Sequence, residues 1–448
     1  MFKSIRNSSK YLVALSIIAL FNACGSSDNE GANSVADGSA QLVGAAVIDD
    51  INASTMLLYV RGGIDASATN AFGYKAVRIT YNTLGENDEA VVASGLLVIP
   101  TATDAYKGYL ASLGKGFSVS MLCDNHGTIF TNAEAPTNVE TADGAPNYSL
   151  ATLMTGYAGF AGVYPDYIGY GESNAVSHPY MMKKSSARAS LDMIKASMKY
   201  MNDTGVQINY QLYISGYSQG GHVAMALAQE VEKSFGNNVN LKGVAPMAGP
   251  HDVEALANIE IDATHTMVYP AFLGYLADSY SYYYDDLALG DIAVLADTNA
   301  YHNLFDGSYV NVLIHVGLGL ANGTTDLGFF THQANELFKD GFINDYQNNV
   351  NSAIRQRFIE NKSYDNWTPK TKVNLVHCLD DEIIPFSMSQ NAFDELSATG
   401  ADVTLSPIPT SYIPAATPSD PFVHGRCGYT AYGAAVGWFA DIRSGVIQ

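Results

Sequence analysis

The middle of the chain alternates between short apolar segments and longer segments of helical periodicity, and this alternation limits the possible folds most strongly. Strands are predicted at residues 159–165, 212–215 and 241–247, and helices at residues 148–157, 187–201 and 221–235. Strands that alternate with helices form mainly parallel sheets covered by helices on both faces. The predicted fold class is therefore α/β, with a mainly parallel central sheet.

Segments on either side extend this sheet. Before the alternating region, apolar runs separated by clusters of Gly, Asn, Asp and Thr predict three strands, at residues 74–81, 90–100 and 117–123. Near the end of the chain, two strands and a closing amphipathic helix are predicted at residues 373–377, 403–407 and 431–442.

Between these two parts the regular alternation of strands and helices is interrupted. Residues 255–368 consist of segments rich in Tyr, Phe, Leu and Gly, and we interpret them as an inserted cap. The cap could cover an apolar pocket, form a core of its own, or do both. The sequence thus predicts one large core, residues 46–254 and 369–448, interrupted by this insertion.

The N-terminus has the pattern of a signal peptide, predicted over residues 1–23. Basic residues precede an apolar stretch at residues 11–21, which is shorter than the roughly 20 residues that span a bilayer. Ala23 followed by Cys24 resembles a bacterial lipoprotein signal, and this resemblance implies that Cys24 is lipidated. Ordinary cleavage and secretion is the alternative. Either route predicts an exported protein, and Gly25 favours an outer-membrane or cell-surface location for a lipoprotein.

A polar tether follows Cys24. Residues 25–40 contain almost no large apolar side chain, so they cannot offset the entropy cost of ordering, and the tether is placed at residues 24–45. It would hold the globular part off a membrane.

Charge and cysteine content exclude several kinds of partner. The chain has 23 Lys and Arg against 44 Asp and Glu, a formal charge of −21, which would repel the phosphates of nucleic acid. Without Cys24, three cysteines remain: Cys123, Cys378 and Cys427. None has the spacing of a zinc site, and at most one disulfide can form. Cys123 is predicted to be a buried strand residue.

The residues Gly216, Tyr217, Ser218, Gln219 and Gly220 form a G-x-S-x-G pattern between a predicted strand and a predicted helix. A serine hydroxyl is a weak nucleophile, and it becomes reactive when a tight turn presents it to a base. Small residues on either side permit such a turn. The pattern predicts a nucleophilic serine at position 218.

With its Gly-Tyr-Ser-Gln-Gly-Gly sequence at residues 216–221, the chain resembles the α/β-hydrolases, and within them the secretory lipase and esterase branch. The resemblance implies a carboxylic-ester hydrolase that forms an acyl-enzyme, needs no cofactor or metal, and carries a triad in the chain order Ser, acid, His. A peptidase or acyl transferase on the same triad is one alternative. A non-catalytic surface binding protein is another.

The order of the triad selects the acid and the base. Asp381 matches the family pattern by its spacing from Pro385 after a predicted strand, with Asp380 as second choice and a solvated turn as the alternative for both. Of the ten histidines, His424 alone lies beyond Asp381, in a predicted loop before the last helix. The resemblance implies that Asp381 orients His424 and that His424 is the general base.

The resemblance also implies an oxyanion hole. One amide would be that of Gln219, directly after the nucleophile, and the second that of Thr128, with Gly127 as its neighbour. His126 is predicted to brace this loop rather than to act as a base. Residues 163–173 resemble a segment that shapes the floor of such sites, where Asp166 and Glu172 would have positioning roles.

Cys378 and Cys427 lie close in sequence to the predicted acid and base. They stand on segments that must meet if Asp381 and His424 are hydrogen-bonded. A disulfide between them is therefore our hypothesis.

Overall fold

The computed structural model describes residues 40–52, 72–130, 132–138, 158–262, 264–287, 338–416 and 422–447. These residues form one nine-stranded sheet of order β1-β2-β3-β5-β4-β6-β7-β8-β9. The strands are β1 Leu42–Ile51, β2 Phe72–Leu84, β3 Ala90–Ala102, β4 Val119–Asn125, β5 Ala161–Pro165, β6 Ile208–Tyr217, β7 Asn240–Met247, β8 Val373–Cys378 and β9 Val403–Ile408.

Strands β1, β2 and β3 pair antiparallel with their neighbours in the sheet. The other six strands, in the order β5-β4-β6-β7-β8-β9, are parallel to one another. The eight strands predicted from the sequence are all present, and the predicted mainly parallel α/β fold is confirmed. β1 was not predicted. It begins at Leu42, inside the segment assigned to the tether, so the ordered core starts earlier than residue 46.

Nine helices are present in the described part of the chain. They are α1 Asp104–Ser112, α2 Lys183–Asp203, α3 Gln219–Glu230, α4 Val253–Glu260, α5 Pro270–Tyr283, α6 Asp340–Asn348, α7 Ala353–Glu360, α8 Ser387–Ala398 and α9 Val423–Ser444. Helices α2 and α9 both begin earlier than their predicted starts, and α3 continues into a π-helical turn over Val231–Phe235. The predicted helix at residues 148–157 lies outside the described residues.

The two faces of the sheet bury different apolar clusters. On β6, Leu212 and Ile214 point toward α2, α3 and α8, whereas Tyr213 between them packs against Phe439 of α9. Successive side chains of a strand alternate between faces, so a strand buried on both sides is apolar at every position. This explains why the central strands appear as continuous apolar runs in the sequence.

Helices α4 to α7 lie between β7 and β8 in the chain, in the region predicted to be a cap. Their apolar side chains form a cluster separate from both faces of the sheet, and Tyr280, Tyr346 and Phe358 are among its buried members. Met181 and Met182, just before α2, belong to the same cluster and join it to the core. Residues 288–337 of the predicted cap lie outside the described residues.

The predicted signal peptide, Cys24 and most of the predicted tether also lie outside the described residues. Among the helices that are described, none combines the length and apolar character required to cross a membrane.

Candidate active site

Ser218 occupies the turn between β6 and α3. β6 ends at Tyr217 and α3 begins at Gln219, so Ser218 alone joins them, with φ 59° and ψ −123°. Positive φ is uncommon for a residue with a side chain, and such strain is concentrated at functional sites. Two hydrogen bonds hold the turn: Ser218 N donates to Met247 O at 2.9 Å, and Gly221 N donates to Ser218 O at 2.8 Å. The backbone thus presents the half-buried hydroxyl at the carboxyl end of the sheet.

The glycines on either side of Ser218 are required by close backbone packing. A Cβ atom on Gly216 would lie 2.1 Å from Gly220 O, and one on Gly220 would lie 1.8 Å from Asn125 O. Both distances are far shorter than any van der Waals contact. The G-x-S-x-G pattern therefore has a steric basis in this chain.

Ser218, His424 and Asp381 form a continuous line of contacts. His424 Nε2 is 2.9 Å from Ser218 Oγ, and His424 Nδ1 is 2.7 Å from Asp381 Oδ2. Asp380, the second choice, points elsewhere: its exposed carboxylate accepts a hydrogen bond from the Thr410 hydroxyl. The structure thus brings together the three residues that the order rule selected.

Asp381 is buried and well supplied with donors. Its Oδ1 accepts hydrogen bonds from the amides of Ile383 at 3.1 Å and Ile384 at 2.9 Å. Burial by itself would raise the pKa of Asp381, but His424 and His377 outweigh it and hold the pKa well below its usual range. Asp381 is therefore ionised at neutral pH and can stabilise positive charge on His424.

His424 lies on a helix and not in a loop, contrary to the sequence prediction. α9 begins at Val423, so His424 is in its first turn. The Gly residues at positions 425 and 428 lower helix propensity, and for this reason the sequence did not predict a helix here. Tyr217 fixes the turn, because its hydroxyl donates to His424 O at 2.6 Å.

The loop after β4 lies beside Ser218. A Cβ atom on Gly127 would be 3.2 Å from Tyr217 O and 3.5 Å from Ser218 Cβ, so the backbone of this loop approaches the nucleophile closely. The Thr128 hydroxyl is 2.8 Å from that of Tyr180, and both residues line the same pocket as Ser218. Gly127 and Thr128 thus both lie near Ser218.

His126 contacts backbone oxygens on both sides of its ring. Its Nδ1 is 2.7 Å from Gly127 O, and its Nε2 is 3.2 Å from Asp166 O. Tyr167 stacks on the ring, with centroids 4.1 Å apart. These contacts join the Gly127 loop to the segment after β5 and fit the bracing role predicted for His126.

The segment after β5 supports the site without touching the triad. The buried carboxylate of Asp166 accepts hydrogen bonds from Ser94 Oγ at 2.5 Å and from Thr137 N at 2.9 Å. Burial raises the pKa of Asp166. The Glu172 amide donates to Ser94 Oγ at 2.8 Å. The Asp166 carboxylate thus holds this turn in place, and Glu172 contributes through its backbone amide.

The side chain of Gln219 is held by His178, a residue that the sequence analysis did not select. Burial lowers the pKa of His178 to about 3, so its ring is neutral. Its Nδ1 is 2.7 Å from Ile168 O and carries the proton, which leaves Nε2 to accept from Gln219 Nε2 at 2.8 Å. No sequence signal marks this pairing, because the two residues are 41 positions apart.

A mainly apolar pocket opens at Ser218, with a volume of about 710 Å³ that includes its opening to solvent. One wall comes from α4 and α5, through residues such as Leu256, Phe272 and Leu276, and another from Ile383 and Ile384. Its polar lining groups include Thr128, Gln219 and Glu382 on the core side and Glu260 at the end of α4. The pocket is suited to an apolar chain attached to a polar reacting group.

A disulfide joins Cys378, the last residue of β8, to Cys427 in α9. Asp381 follows the first cysteine by three residues, and His424 precedes the second by three. Cys123 is free and buried. Among the described residues, no group of three or more His, Cys, Asp or Glu side chains could hold a metal ion.

Comparison with known proteins assigns a family to this geometry. The family model described as secretory lipase matches residues 140–443, which is more than half of the chain. The chain belongs to the secretory lipase family. Members of a lipase family hydrolyse esters, and the match spans the residues that carry Ser218, Asp381 and His424. No curated protein matches the chain.

Solved structures agree with the fold. The chain is similar to the cell-wall-degrading esterase LipA from Xanthomonas oryzae, with 21% identity and a TM-score of 0.74, over 90% of this chain and 99% of that one. It is also similar to Candida antarctica lipase A, with 15% identity and a TM-score of 0.57, over 82% of this chain and 76% of that one. At these identities the likeness shows the α/β-hydrolase fold.

Proposed function

We propose that the protein is an exported carboxylic-ester hydrolase in which Ser218 is the nucleophile, His424 the general base and acid, and Asp381 its orienting partner. The observation that carries the proposal is the line of contacts from Ser218 Oγ through His424 to Asp381, 2.9 Å and 2.7 Å long, at the mouth of an apolar pocket. Family membership supports the same chemistry.

The reaction follows from these positions. His424 Nε2 takes the proton of Ser218 as Oγ attacks the ester carbonyl, and the buried Asp381 carboxylate stabilises the imidazolium that forms. His424 then gives this proton to the leaving alcohol, and an acyl-enzyme remains on Ser218. Water, deprotonated by His424, attacks the acyl-enzyme and releases the acid. No step uses a metal or a cofactor.

The tetrahedral intermediates carry a negative oxygen, for which we assign the backbone amides of Gln219 and Thr128. Gln219 is the first residue of α3, and the amides at a helix N-terminus favour negative charge. The close approach of Gly127 to Ser218 supports the assignment of the amide of its neighbour Thr128. Donors fixed in this way need no rearrangement as charge develops.

The pocket supports an ester with an apolar acyl group. Helices α4 and α5 present Leu, Val, Phe and Ala side chains to it, and Glu260 at the end of α4 is the charged group on that wall. A charged peptide or a sugar would leave its polar groups unpaired against this wall, at a cost in binding free energy. The proposed cap, residues 255–368, thus forms part of the substrate site.

For localisation, we propose that residues 1–23 are a signal peptide and that Cys24 is lipidated, so that a short tether links the enzyme to the cell envelope. The basic start, the apolar stretch and the Ala-Cys pair support this. Mass spectrometry of the exported protein should find a diacylglyceryl group on Cys24 at the mature N-terminus. A mature N-terminus at another position, without lipid, would contradict the anchor.

The central test is hydrolysis of p-nitrophenyl esters, from acetate to palmitate, by the protein without its signal segment. Replacement Ser218→Ala should lower kcat/KM at least about 10³-fold, because the attacking atom is lost. The matched control is Ser234→Ala, at an exposed position in the π-helical turn after α3, which should keep wild-type activity.

Other outcomes would favour the alternatives. Faster cleavage of matched amides than of esters would indicate a peptidase, and acyl transfer to added alcohols in preference to water would indicate a transferase. A folded protein that hydrolyses none of these esters would overturn the proposal and would favour a peptidase or, if it cleaves no amide either, a non-catalytic binding protein.

A further inference from the structure

Asp381 contacts a second histidine besides His424. His377 is fully buried on β8, four residues before the acid, and its Nε2 lies 3.4 Å from Asp381 Oδ2. The same carboxylate oxygen is 2.7 Å from His424 Nδ1. One oxygen of the proposed catalytic acid is thus placed between two imidazole rings.

The neighbours of His377 determine which of its nitrogens carries the proton. Nε2 is 2.9 Å from Ile384 O and faces the Asp381 carboxylate, and both of these groups only accept hydrogen bonds. Nε2 must therefore be protonated. Nδ1, 2.8 Å from Ser389 Oγ, is then free to accept a hydrogen bond from that hydroxyl. The Nε2–H donates to Ile384 O, and it faces the Asp381 carboxylate at the longer distance of 3.4 Å.

We propose that His377 is a positioning residue for the triad: its Nε2–H, held by Ile384 O and facing Asp381 Oδ2, keeps the Asp381 carboxylate aimed at His424. The inference rests on the proposed function, since it assigns Asp381 as the acid. His377 acts through Asp381 and does not touch the nucleophile.

The same ring also fixes the wall of the pocket. Ile384 accepts from His377 through its carbonyl and donates to Asp381 Oδ1 through its amide. Ile383 and Ile384 line the pocket that opens at Ser218. The backbone between the acid and the pocket wall is therefore held at both ends by one buried histidine.

The titratable groups around Asp381 determine whether loss of the His377 N–H favours or disfavours protonation of His424. His424 and His377 face the Asp381 carboxylate from α9 and β8, and the acidic Glu382 follows it in sequence. The exposed Asp380 carboxylate is turned toward Thr410. His251, fully buried, faces His377 from the loop after β7. Loss of the His377 N–H removes the partial positive charge of that group from beside Asp381, while the carboxylates of Asp381 and Glu382 remain. Protonated His424 therefore becomes easier to form.

The experiment measures kcat/KM for a p-nitrophenyl ester from pH 5 to pH 9 with wild type, His377→Leu and His377→Gln. Leu lacks the donor, so the midpoint of the acid limb should move to higher pH by about half a unit, and the plateau should fall about tenfold. Gln can place its Nε2–H near the position of the imidazole Nε2–H and should restore the midpoint.

Two further variants separate positioning from packing. Ser389→Ala keeps the ring but removes the hydroxyl that holds Nδ1, and it should shift the midpoint in the same direction by a smaller amount. The control, His222→Gln, alters a buried histidine whose Nε2 contacts Asn361 O at 2.7 Å instead of the triad. Its midpoint should equal that of wild type, whatever happens to its stability.

A folded His377→Leu enzyme with the wild-type midpoint would overturn the proposal. If that variant does not fold, ¹⁵N NMR of the wild-type histidines gives the answer without any substitution. The expected result is a proton on Nε2 of His377 throughout the range from pH 5 to pH 8. A ring protonated only at Nδ1 could not present an N–H to Asp381 and would also overturn it. The NMR result does not depend on activity, so failure of this inference is distinguishable from failure of the proposed function.

Discussion

At the scale of single residues, Gly220 is the position where the turn around Ser218 leaves least room. A Cβ atom there would lie 1.8 Å from Asn125 O, 2.6 Å from its carbonyl carbon and 2.8 Å from His126 O, all backbone atoms that cannot rotate away. We predict that Gly220→Ala separates the loop after β4 from α3. The free energy of unfolding should fall by about 1–3 kcal/mol or more, and ester hydrolysis should be largely lost.

The matched control for this change is Gly437→Ala on α9. A Cβ built on Gly437 meets no described atom within 4 Å, and alanine is favoured over glycine inside a helix. This variant should gain up to about 1 kcal/mol in denaturant unfolding. Equal stabilities for the two alanine variants would refute the steric explanation of the G-x-S-x-G pattern.

Residue order along the chain made Ser218, Asp381 and His424 predictable, because a single histidine follows the candidate acids. His377 and His178 were not predictable in the same way. Their contacts depend on side chains that meet only after the sheet has formed: His178 with Gln219, and His377 with Ser389 and Asp381. No spacing rule exists for such support, since each pair depends on the local packing of this fold.

At the scale of elements, the central strands were predictable because burial on both faces makes them continuously apolar. The edge strand β1 was missed, because its apolar side chains are largely exposed: Val43 is 54% and Val47 is 52% accessible. It is ordered by backbone pairing with β2, which leaves no apolar periodicity in the sequence. The predictions for residues 1–23, for Cys24 and for residues 288–337 remain untested by the structure.

The disulfide between Cys378 and Cys427 links two elements that carry the proposed acid and base. It closes a loop with a sequence separation of 49 residues, for which the chain-entropy model gives a stabilisation of about 4 kcal/mol. We predict that dithiothreitol lowers the urea midpoint of the wild-type protein. The Cys378→Ala/Cys427→Ala double variant should start at that lower midpoint and should not respond to the reductant. A response of equal size in the double variant would assign the effect to something other than this bond.

At the scale of the whole molecule, buried carboxyl groups in an acidic protein make stability depend on pH. Burial raises the pKa of several of them: Glu86, Asp124, Asp166, Asp192, Glu260 and Glu382. For Asp124 the pKa rises to about 7 despite hydrogen bonds from Ser215 and Tyr432. A carboxyl whose pKa is higher in the folded state binds its proton more tightly there. For Asp124, the contribution of this tighter proton binding to stability is complete below the unfolded pKa near 4, and it is lost as pH rises through the folded pKa of about 7.

We therefore predict that the protein is more stable at pH 6 than at pH 8, by about 1–2 kcal/mol from Asp124 alone. The formal charge of −21 causes self-repulsion at both pH values, because ordinary carboxyl groups with pKa near 4 stay ionised over this range. Calorimetry at the two pH values should show a higher Tm at pH 6. The variant Asp124→Asn keeps nearly the same net charge but cannot titrate at this position, so its Tm difference between the two pH values should be clearly smaller. An unchanged difference in that variant would mean that overall charge, and not the buried Asp124, controls the pH dependence.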